Sequence, residues 1–252
     1  MRSGEDPDPG SETVAPAPRG LRPALRAAAS VMAADLASCG LSPDAEERWM
    51  RRIDFLGEYS IEAYKRSREP AQILPRLWLG DARAAKPASV NRLGFDAVLN
   101  LAPEETRRRD GSSYAARDLE FLSIEATDRP DYDLLGQHLS EAADFLERVG
   151  AAGESAPAQA GAGALVHCFA GVNRSAALVV AFVVTKLRWS LLRTLRHVHE
   201  RRPIVLTNLS FRLQLIRMAA REGLLLDEET VAASTAQLAR SQTTPRLACC
   251  VS

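Results

Sequence analysis

The sequence has little of what several large classes of protein require. Its 252 residues include four cysteines, at positions 39, 168, 249 and 250, without the paired spacing typical of a disulfide scaffold or a zinc cage. Aromatic residues make up 6% of the chain, too few to predict a platform that stacks single-stranded nucleic acid. Lys and Arg total 32, and Asp and Glu total 32, so no excess of positive charge indicates a general binder of nucleic acid.

Hydrophobic runs are also short. The longest, Ala176–Val184, falls well below the roughly 20 residues of a membrane-spanning helix. No apolar stretch follows the Met-Arg-Ser-Gly-Glu-Asp start, so we expect no secretory signal. These absences favour an intracellular protein in a reducing compartment, where a single thiol stays available for chemistry.

The composition divides the chain into four parts. The first is rich in Pro, Gly, Ser and Glu and predicts a disordered tail. In the second, Ser42-Pro43 is typical of a helix start, and Trp49, Ile53 and Leu56 follow at near-helical spacing, which predicts a helical extension packed on the main body. The four parts are the tail (1–22), the extension (23–70), the main body (71–222) and a polar C-terminal tail (223–252).

Within the main body, short apolar segments alternate with amphipathic ones. This alternation is typical of an α/β fold with a central, mostly parallel sheet flanked by helices. The predicted strands are a hairpin over Ile73–Gly80, then Asp96–Leu101, Leu119–Ile124 and Ala164–His167. The predicted helices are Ala82–Leu93 (broken by Pro87), Leu134–Val149, Ser175–Lys186, Ser190–Arg201 and Asn208–Glu222, with Gly150–Gly163 as an exposed linker.

The stretch after the last predicted strand carries the chemistry, and it reads His167-Cys168-Phe169-Ala170-Gly171-Val172-Asn173-Arg174-Ser175. The backbone N–H groups of such a strand-to-helix loop can surround one oxyanion, and Gly171 supplies the backbone freedom that this requires. Arg174 can bind two phosphate oxygens in a fork, and with the helix N-terminus it favours a thiolate at Cys168. An isolated cysteine after an apolar strand is usually a small buried hydrophobe, but the complete pattern predicts a nucleophile aimed at phosphorus.

The segment from Ile73 to Glu222 resembles the dual-specificity phosphatase branch of the cysteine-dependent protein tyrosine phosphatases. His167-Cys168-x5-Arg174-Ser175 is similar to the signature loop of that family. Ile73–Gly80 resembles its opening hairpin, and Val98–Ala102 resembles the strand that follows. The resemblance implies a three-layer α/β/α fold and an enzyme that removes phosphate from proteins.

The resemblance also implies a set of catalytic residues. Cys168 is the expected nucleophile, and the phosphate is expected to bind to Phe169, Ala170, Gly171, Val172, Asn173 and Arg174. The family's general acid follows a strand some way before the signature loop, which matches Asp128 in this sequence. Asp131 and Asp133 lie nearby and are rivals for that role.

Three further residues are expected to support the reaction. Ser175 matches a family hydroxyl that donates a hydrogen bond to the departing thiolate. His167 is expected to orient the loop through its ring N–H groups. Asn208 matches a family asparagine that helps to hold the loop and its arginine, and it equally fits the N-cap of the helix that follows. The implied two-step mechanism needs no metal or other cofactor.

The expected function is therefore hydrolysis of phosphotyrosine, and of phosphoserine or phosphothreonine, with a phosphoprotein as substrate and a protein kinase as a candidate partner. The alternatives are a phosphatase of RNA 5′-triphosphate, phosphoinositide or glucan, or an adaptor that binds phosphate without turnover.

Asn173 stands where many relatives carry serine. RNA triphosphatases also carry asparagine there, but they lack the general acid that Asp128 supplies here. The loop has no lysine, which weakens the phosphoinositide alternative.

The last four residues, Cys249-Cys250-Val251-Ser252, fit the C-a-a-X pattern for prenylation, with serine favouring farnesyl. One farnesyl chain gives weak and reversible membrane binding. Arg240 and Arg246 are too few to form a polybasic patch that would strengthen it. The expected localisation is cytoplasmic, with membrane-associated and nuclear as alternatives.

Overall fold

The structure is a computed structural model that describes residues 41–57, 60–108, 111–114, 118–153 and 162–226. The predicted N-terminal tail (1–22) and the first part of the predicted helical extension, residues 23–40, lie outside the described residues. So do Cys39, Cys249, Cys250 and the centre of the predicted linker. In the part of the chain that the structure describes, no helix combines the length and the apolarity needed to span a membrane.

A five-stranded sheet forms the middle of the molecule. Its strands are β1 (Ala71–Leu74), β2 (Leu77–Gly80), β3 (Ala97–Asn100), β4 (Glu120–Ser123) and β5 (Ala164–His167). The order across the sheet is β1-β2-β5-β3-β4, with β1 antiparallel to β2 and every other pair parallel. His167 is in register with Gly80 on one side and Asn100 on the other, so the loops after β2, β3 and β5 leave the sheet at the same edge.

Helices cover both faces of the sheet, as predicted for a three-layer α/β/α fold. The helices are α1 (Pro43–Arg52), α2 (Ile61–Arg66), α3 (Pro87–Leu93), α4 (Pro103–Thr106), α5 (Leu134–Arg148), α6 (Arg174–Leu187), α7 (Leu191–Arg201) and α8 (Leu209–Arg221), with 3-10 turns at Asp54–Gly57 and Gly111–Tyr114. Leu99 and Val166 pack on one face with α5 to α8, whereas Val98 and Leu165 pack on the other with Val90 of α3. This alternation is what a strand buried on both sides requires.

Helix α6 is apolar all round because it lies in the centre of the larger layer. Every residue from Ala176 to Val184 is buried. The helix contacts β2 and β5 below it and α5, α7 and α8 around it. Its N-terminus is therefore held rigidly at the edge of the sheet where β5 ends.

The helix predicted over Ala82–Leu93 is shorter than expected. Helix α3 starts at Pro87, which occupies its first turn and lacks the N–H that a longer helix would need there. Ahead of it the Asp81 carboxylate accepts hydrogen bonds from the backbone N–H groups of Arg83 and Ala84 and forms a turn.

The described part of the N-terminal extension packs on the main body. Ser42 caps α1 by accepting a hydrogen bond from the N–H of Ala45, and Pro43 occupies its first turn. Ile53 and Leu56 are buried in the same core as the sheet. The extension therefore contributes directly to the hydrophobic core.

Candidate active site

The loop after β5 is centred on Gly171, which makes its tight curvature possible. Gly171 has φ of +67°, a conformation that side chains rarely adopt. A Cβ at this position would lie 2.4 Å from the carbonyl oxygen of Gly80 and 2.5 Å from Nη2 of Arg202. The loop therefore closes against the end of β2 only because residue 171 has no side chain.

The thiol of Cys168 sits at the bottom of this loop. It is buried, and its Sγ accepts hydrogen bonds from the N–H of Gly171 and from Oγ of Ser175, each at 3.2 Å. Helix α6 begins six residues after Cys168, so the partial positive charge of its N-terminus lies on the same side. The predicted site residues Cys168 and Ser175 are thus in contact, and the sulfur is faced by two donors, Gly171 N–H and Ser175 Oγ.

Arg174 is buried at the start of α6, and its guanidinium is held from one side. Nη1 donates to the carbonyl oxygens of Leu101 at 3.3 Å and Ala126 at 3.0 Å, and to Oε1 of Glu105 at 2.7 Å. Nε is buried and has no hydrogen-bond partner among the described residues. The guanidinium is therefore anchored through one nitrogen, while another donor is available for a phosphate oxygen.

Glu105 is a site residue that the sequence does not reveal. It lies on α4, a one-turn helix that the buried Asn100 at the end of β3 holds in place. The Asn100 amide donates to Oγ1 of Thr106 and to the carbonyl oxygen of Arg108, and it accepts from the N–H of Ala102. The contact between Glu105 and Arg174 joins residues that are 69 positions apart, so no local sequence pattern links them.

The predicted general acid, Asp128, lies against the signature loop. Its Oδ2 accepts a hydrogen bond from Nδ2 of Asn173 at 3.0 Å, and its Oδ1 accepts one from Nδ2 of Asn208 at 2.9 Å. The two rival carboxylates are engaged elsewhere. Asp131 forms an exposed ion pair with Arg129, and Asp133 caps α5.

Of the two roles that the sequence left open for Asn208, its side chain fills that of the helix N-cap, and its contact with the loop comes from the backbone. Its side-chain oxygen accepts from the N–H of Ser210 and so caps α8. Its backbone N–H donates to Oδ1 of Asn173, which ties it to the loop. In the described structure, however, its side chain contacts Asp128 rather than Arg174.

His167 is fully buried at the end of β5. Its Nδ1 lies 3.2 Å from the carbonyl oxygen of Cys168, and because a carbonyl only accepts, Nδ1 must carry the proton. Nε2 has no hydrogen-bond partner in the described part of the chain. Burial lowers the pKa of His167 from 6.5 to about 4, so the ring is neutral at neutral pH. The hydrogen bond from Nδ1 fits the predicted role of His167 in orienting the loop, whereas Nε2 makes no such contact in the described part of the chain.

Arg202 is a second residue that sequence reasoning missed. Its buried guanidinium donates to the carbonyl oxygens of Gly171 at 2.7 Å, Ala170 at 3.3 Å and Glu69 at 2.9 Å. Two of these contacts hold the carbonyl groups of Ala170 and Gly171, which belong to the signature loop, toward Arg202. Burial lowers the pKa of its guanidinium. In the sequence it stands in the charged run Glu200-Arg201-Arg202, which is typical of a solvated helix end.

Comparison with known proteins gives a consistent set of matches. The sequence pattern of the dual specificity phosphatase catalytic domain matches residues 77–221. Dual specificity protein phosphatase 26 of Bos taurus is 34% identical over 151 residues, which cover 60% of this chain and 67% of that protein. Dual specificity protein phosphatase 1 of Homo sapiens is 29% identical over 153 residues, covering 60% of this chain and 38% of that protein. The crystal structure of human DUSP28 covers 62% of this chain and 95% of its own, at 26% identity and a TM-score of 0.48.

Proposed function

The chain belongs to the dual specificity phosphatase family and is a protein phosphatase, and from that premise we propose how its residues carry out the reaction. It hydrolyses phosphotyrosine and phosphoserine or phosphothreonine through a cysteinyl-phosphate on Cys168. The observation that carries this proposal is the pair of donors on the Cys168 sulfur, from Gly171 N–H and Ser175 Oγ, beside the anchored guanidinium of Arg174.

In the first step, the Cys168 thiolate attacks phosphorus in line with the leaving oxygen. The S–P bond forms as the P–O bond breaks. The loop N–H groups and Arg174 stabilise the charge on the equatorial phosphate oxygens. Asp128 donates its proton to the leaving phenolate or alkoxide, which departs as an alcohol.

In the second step, water replaces the thiolate on phosphorus. Asp128, now ionised, takes a proton from the attacking water, and inorganic phosphate is released. The leaving group is the Cys168 thiolate, and the hydroxyl of Ser175, 3.2 Å from Sγ, donates a hydrogen bond to it as its charge returns. Atoms and charge balance without a further reactant.

The non-protein substrates and the adaptor alternative are not favoured. The matching family is that of the dual specificity phosphatases, and the two curated relatives reported above are protein phosphatases by name. A phosphate-binding adaptor would not need a nucleophile, and Cys168 is present with its supporting hydroxyl.

The test compares the wild-type protein with Cys168→Ser on a panel of phosphotyrosine and phosphothreonine peptides, phosphoinositides and 5′-triphosphorylated RNA. We expect the wild type to release phosphate from the peptides and Cys168→Ser to release none. Equal turnover by both proteins would remove Cys168 from the mechanism. Turnover of a non-protein substrate in place of the peptides would overturn the substrate assignment.

Three finer features are also proposed from the sequence. A phosphorylated protein kinase is a partner class that fits the substrate chemistry, so its phosphopeptides belong in the panel. The C-a-a-X pattern supports farnesylation at Cys249, with weak membrane association and otherwise cytoplasmic localisation. Incubation with farnesyltransferase and farnesyl diphosphate tests this: the wild type should gain one farnesyl group, and Cys249→Ser should gain none.

A further inference from the structure

A side chain of the signature loop holds the carboxylate of Asp128. Nδ2 of Asn173 donates to Oδ2 of Asp128 at 3.0 Å, although the two residues are 45 positions apart. Resting on the proposed function of Asp128 as general acid, we propose that Asn173 is a positioning residue that fixes this acid relative to the phosphate-binding loop.

The orientation of the Asn173 amide is determined by its other contacts. Its Oδ1 accepts from the backbone N–H of Asn208 at 3.0 Å and from the hydroxyl of Thr207 at 3.2 Å. A backbone N–H only donates, so the oxygen of the amide must face residue 208. The NH₂ group therefore faces Asp128, as a carboxylate requires.

Asn208 supplies the second arm of the same arrangement. Its Nδ2 donates to Oδ1 of Asp128 at 2.9 Å, while its own Oδ1 caps α8. Each carboxylate oxygen of Asp128 thus accepts from a different amide. We call these three side chains, Asn173, Asn208 and Asp128, the amide clamp. It joins the acid both to the loop that carries Cys168 and to the first turn of α8.

The amide clamp is compatible with proton donation. In a protonated carboxyl group, the hydroxyl oxygen keeps a lone pair that can still accept from an amide. Since both amides donate toward the carboxyl group, the acidic proton must point away from them. The clamp therefore directs that proton to the open side of Asp128, where the proposed leaving oxygen departs.

Serine at position 173 cannot build the same link. Its hydroxyl ends one atom beyond Cβ, whereas the asparagine amide carries an acceptor and a donor on a longer arm. A serine hydroxyl can accept and donate at once, but its single oxygen lies closer to the backbone than the asparagine Nδ2 that reaches Asp128 at 3.0 Å. The asparagine at this position thus adds a direct connection between the loop and the acid.

The experiment measures kcat/KM on two substrates that differ in leaving group, phenyl phosphate and p-nitrophenyl phosphate. Phenol, with a pKa near 10, needs protonation as it leaves far more than p-nitrophenol does. We expect Asn173→Ser to lower kcat/KM about tenfold more on phenyl phosphate than on p-nitrophenyl phosphate, a fraction of the 10²–10⁴-fold that general acids contribute. In an Asp128→Asn background, where there is no acid to position, Asn173→Ser should cause no additional selective loss.

Two further variants keep the test decisive. Asn173→Asp retains the shape and the acceptor toward Asn208 but turns a carboxylate oxygen toward Asp128, so its selective loss should exceed that of Asn173→Ser. Asn91→Ser, the same change on the exposed face of α3, should show no selective loss and serves as the control.

The outcomes separate this inference from the proposed function. Equal losses on both substrates, or the same selective loss with and without Asp128, would overturn the positioning role while leaving the acid in place. If Asp128→Asn itself shows no dependence on the leaving group, the assignment of Asp128 as the acid fails, and the positioning role fails with it.

Discussion

Glu105 Oε1 lies 2.7 Å from Nη1 of Arg174, so the arginine that is proposed to bind phosphate is already held by a protein carboxylate. Arg174 is buried, whereas the Glu105 side chain is 43% exposed. The carboxylate sits on the nitrogen that also contacts two backbone carbonyls. It therefore orients the guanidinium without occupying Nε.

This contact predicts a graded loss when Glu105 is changed. Glu105→Ala should lower kcat/KM on a phosphotyrosyl peptide about three- to tenfold, since a hydrogen bond to a charged group contributes about 1.5–3 kcal/mol when buried and less when half-exposed. Glu105→Gln keeps an acceptor oxygen and should recover most of the activity. The inhibition constant of inorganic phosphate should change in parallel. The exposed neighbour Glu104→Ala is the control, and a similar loss there would contradict the account.

The second prediction concerns the curvature of the signature loop at Gly171. Gly171→Ala combines a positive φ with a Cβ that would meet the Gly80 carbonyl, so we expect a loss of activity of about 10²-fold or more as the loop N–H groups shift. Gly94→Ala, whose φ is +74° with nothing within 4 Å of the added Cβ, isolates the backbone strain. That variant should lose about 1 kcal/mol of stability and keep its activity. Equal activity of the two variants would argue against the close approach.

The loop itself is predictable from sequence because its residues are contiguous. Cys168, Gly171, Arg174 and Ser175 occur in one strand–loop–helix segment, and the two hydrogen bonds on the Cys168 sulfur come from residues within that segment. The strands and most helices follow from apolar periodicity for the same reason. The start of α3 at Pro87 could be read from the missing N–H of proline.

The contacts that hold the loop could not be predicted in this way. Glu105 reaches Arg174 across 69 positions, and Arg202 reaches Gly171 across 31. Such pairs are determined by where the sheet brings the loops after β3 and β5, and by the packing of α7. Glu105 and Arg202 are each typical, in sequence, of a solvated surface charge, so the sequence carries no local signal for their contacts with the loop residues.

The third prediction concerns the ion pair that joins the N-terminal extension to α8. Nε and Nη2 of the buried Arg217 donate to the two carboxylate oxygens of Glu46 on α1, at 2.5 and 3.0 Å. Glu46→Ala should destabilise the protein by about 3–5 kcal/mol, because it removes one partner of a buried pair. Glu47→Ala, next to it, removes an exposed pair with Arg51 and should cost less than about 1 kcal/mol. Urea unfolding measures both, and equal costs would contradict the structural role of the extension.

The fourth prediction is a dependence of stability on pH from His167. Burial lowers its pKa to about 4 in the folded state, against 6.5 when unfolded, so as pH falls the unfolded state takes up the proton first. Its contribution is therefore complete above pH 6.5 and is lost as pH falls from 6.5 toward 4. Between pH 7.5 and 5.0 the free energy of unfolding should fall by about 2 kcal/mol more in the wild type than in His167→Gln. Urea unfolding measures this difference. If the free energy of unfolding depends on pH equally in the wild type and in His167→Gln, the ring is not buried in its neutral form.

The most direct test of the central claim is to trap the phosphorylated enzyme. A phosphotyrosyl peptide labelled on phosphate is mixed with the protein, the reaction is quenched within one turnover, and the labelled peptide of the enzyme is mapped. We expect the label on Cys168 in the wild type, more of it in Ser175→Ala because the thiolate leaves more slowly, and neither label nor turnover in Cys168→Ser. Turnover by Cys168→Ser at the wild-type rate, or label on another residue, would contradict the account.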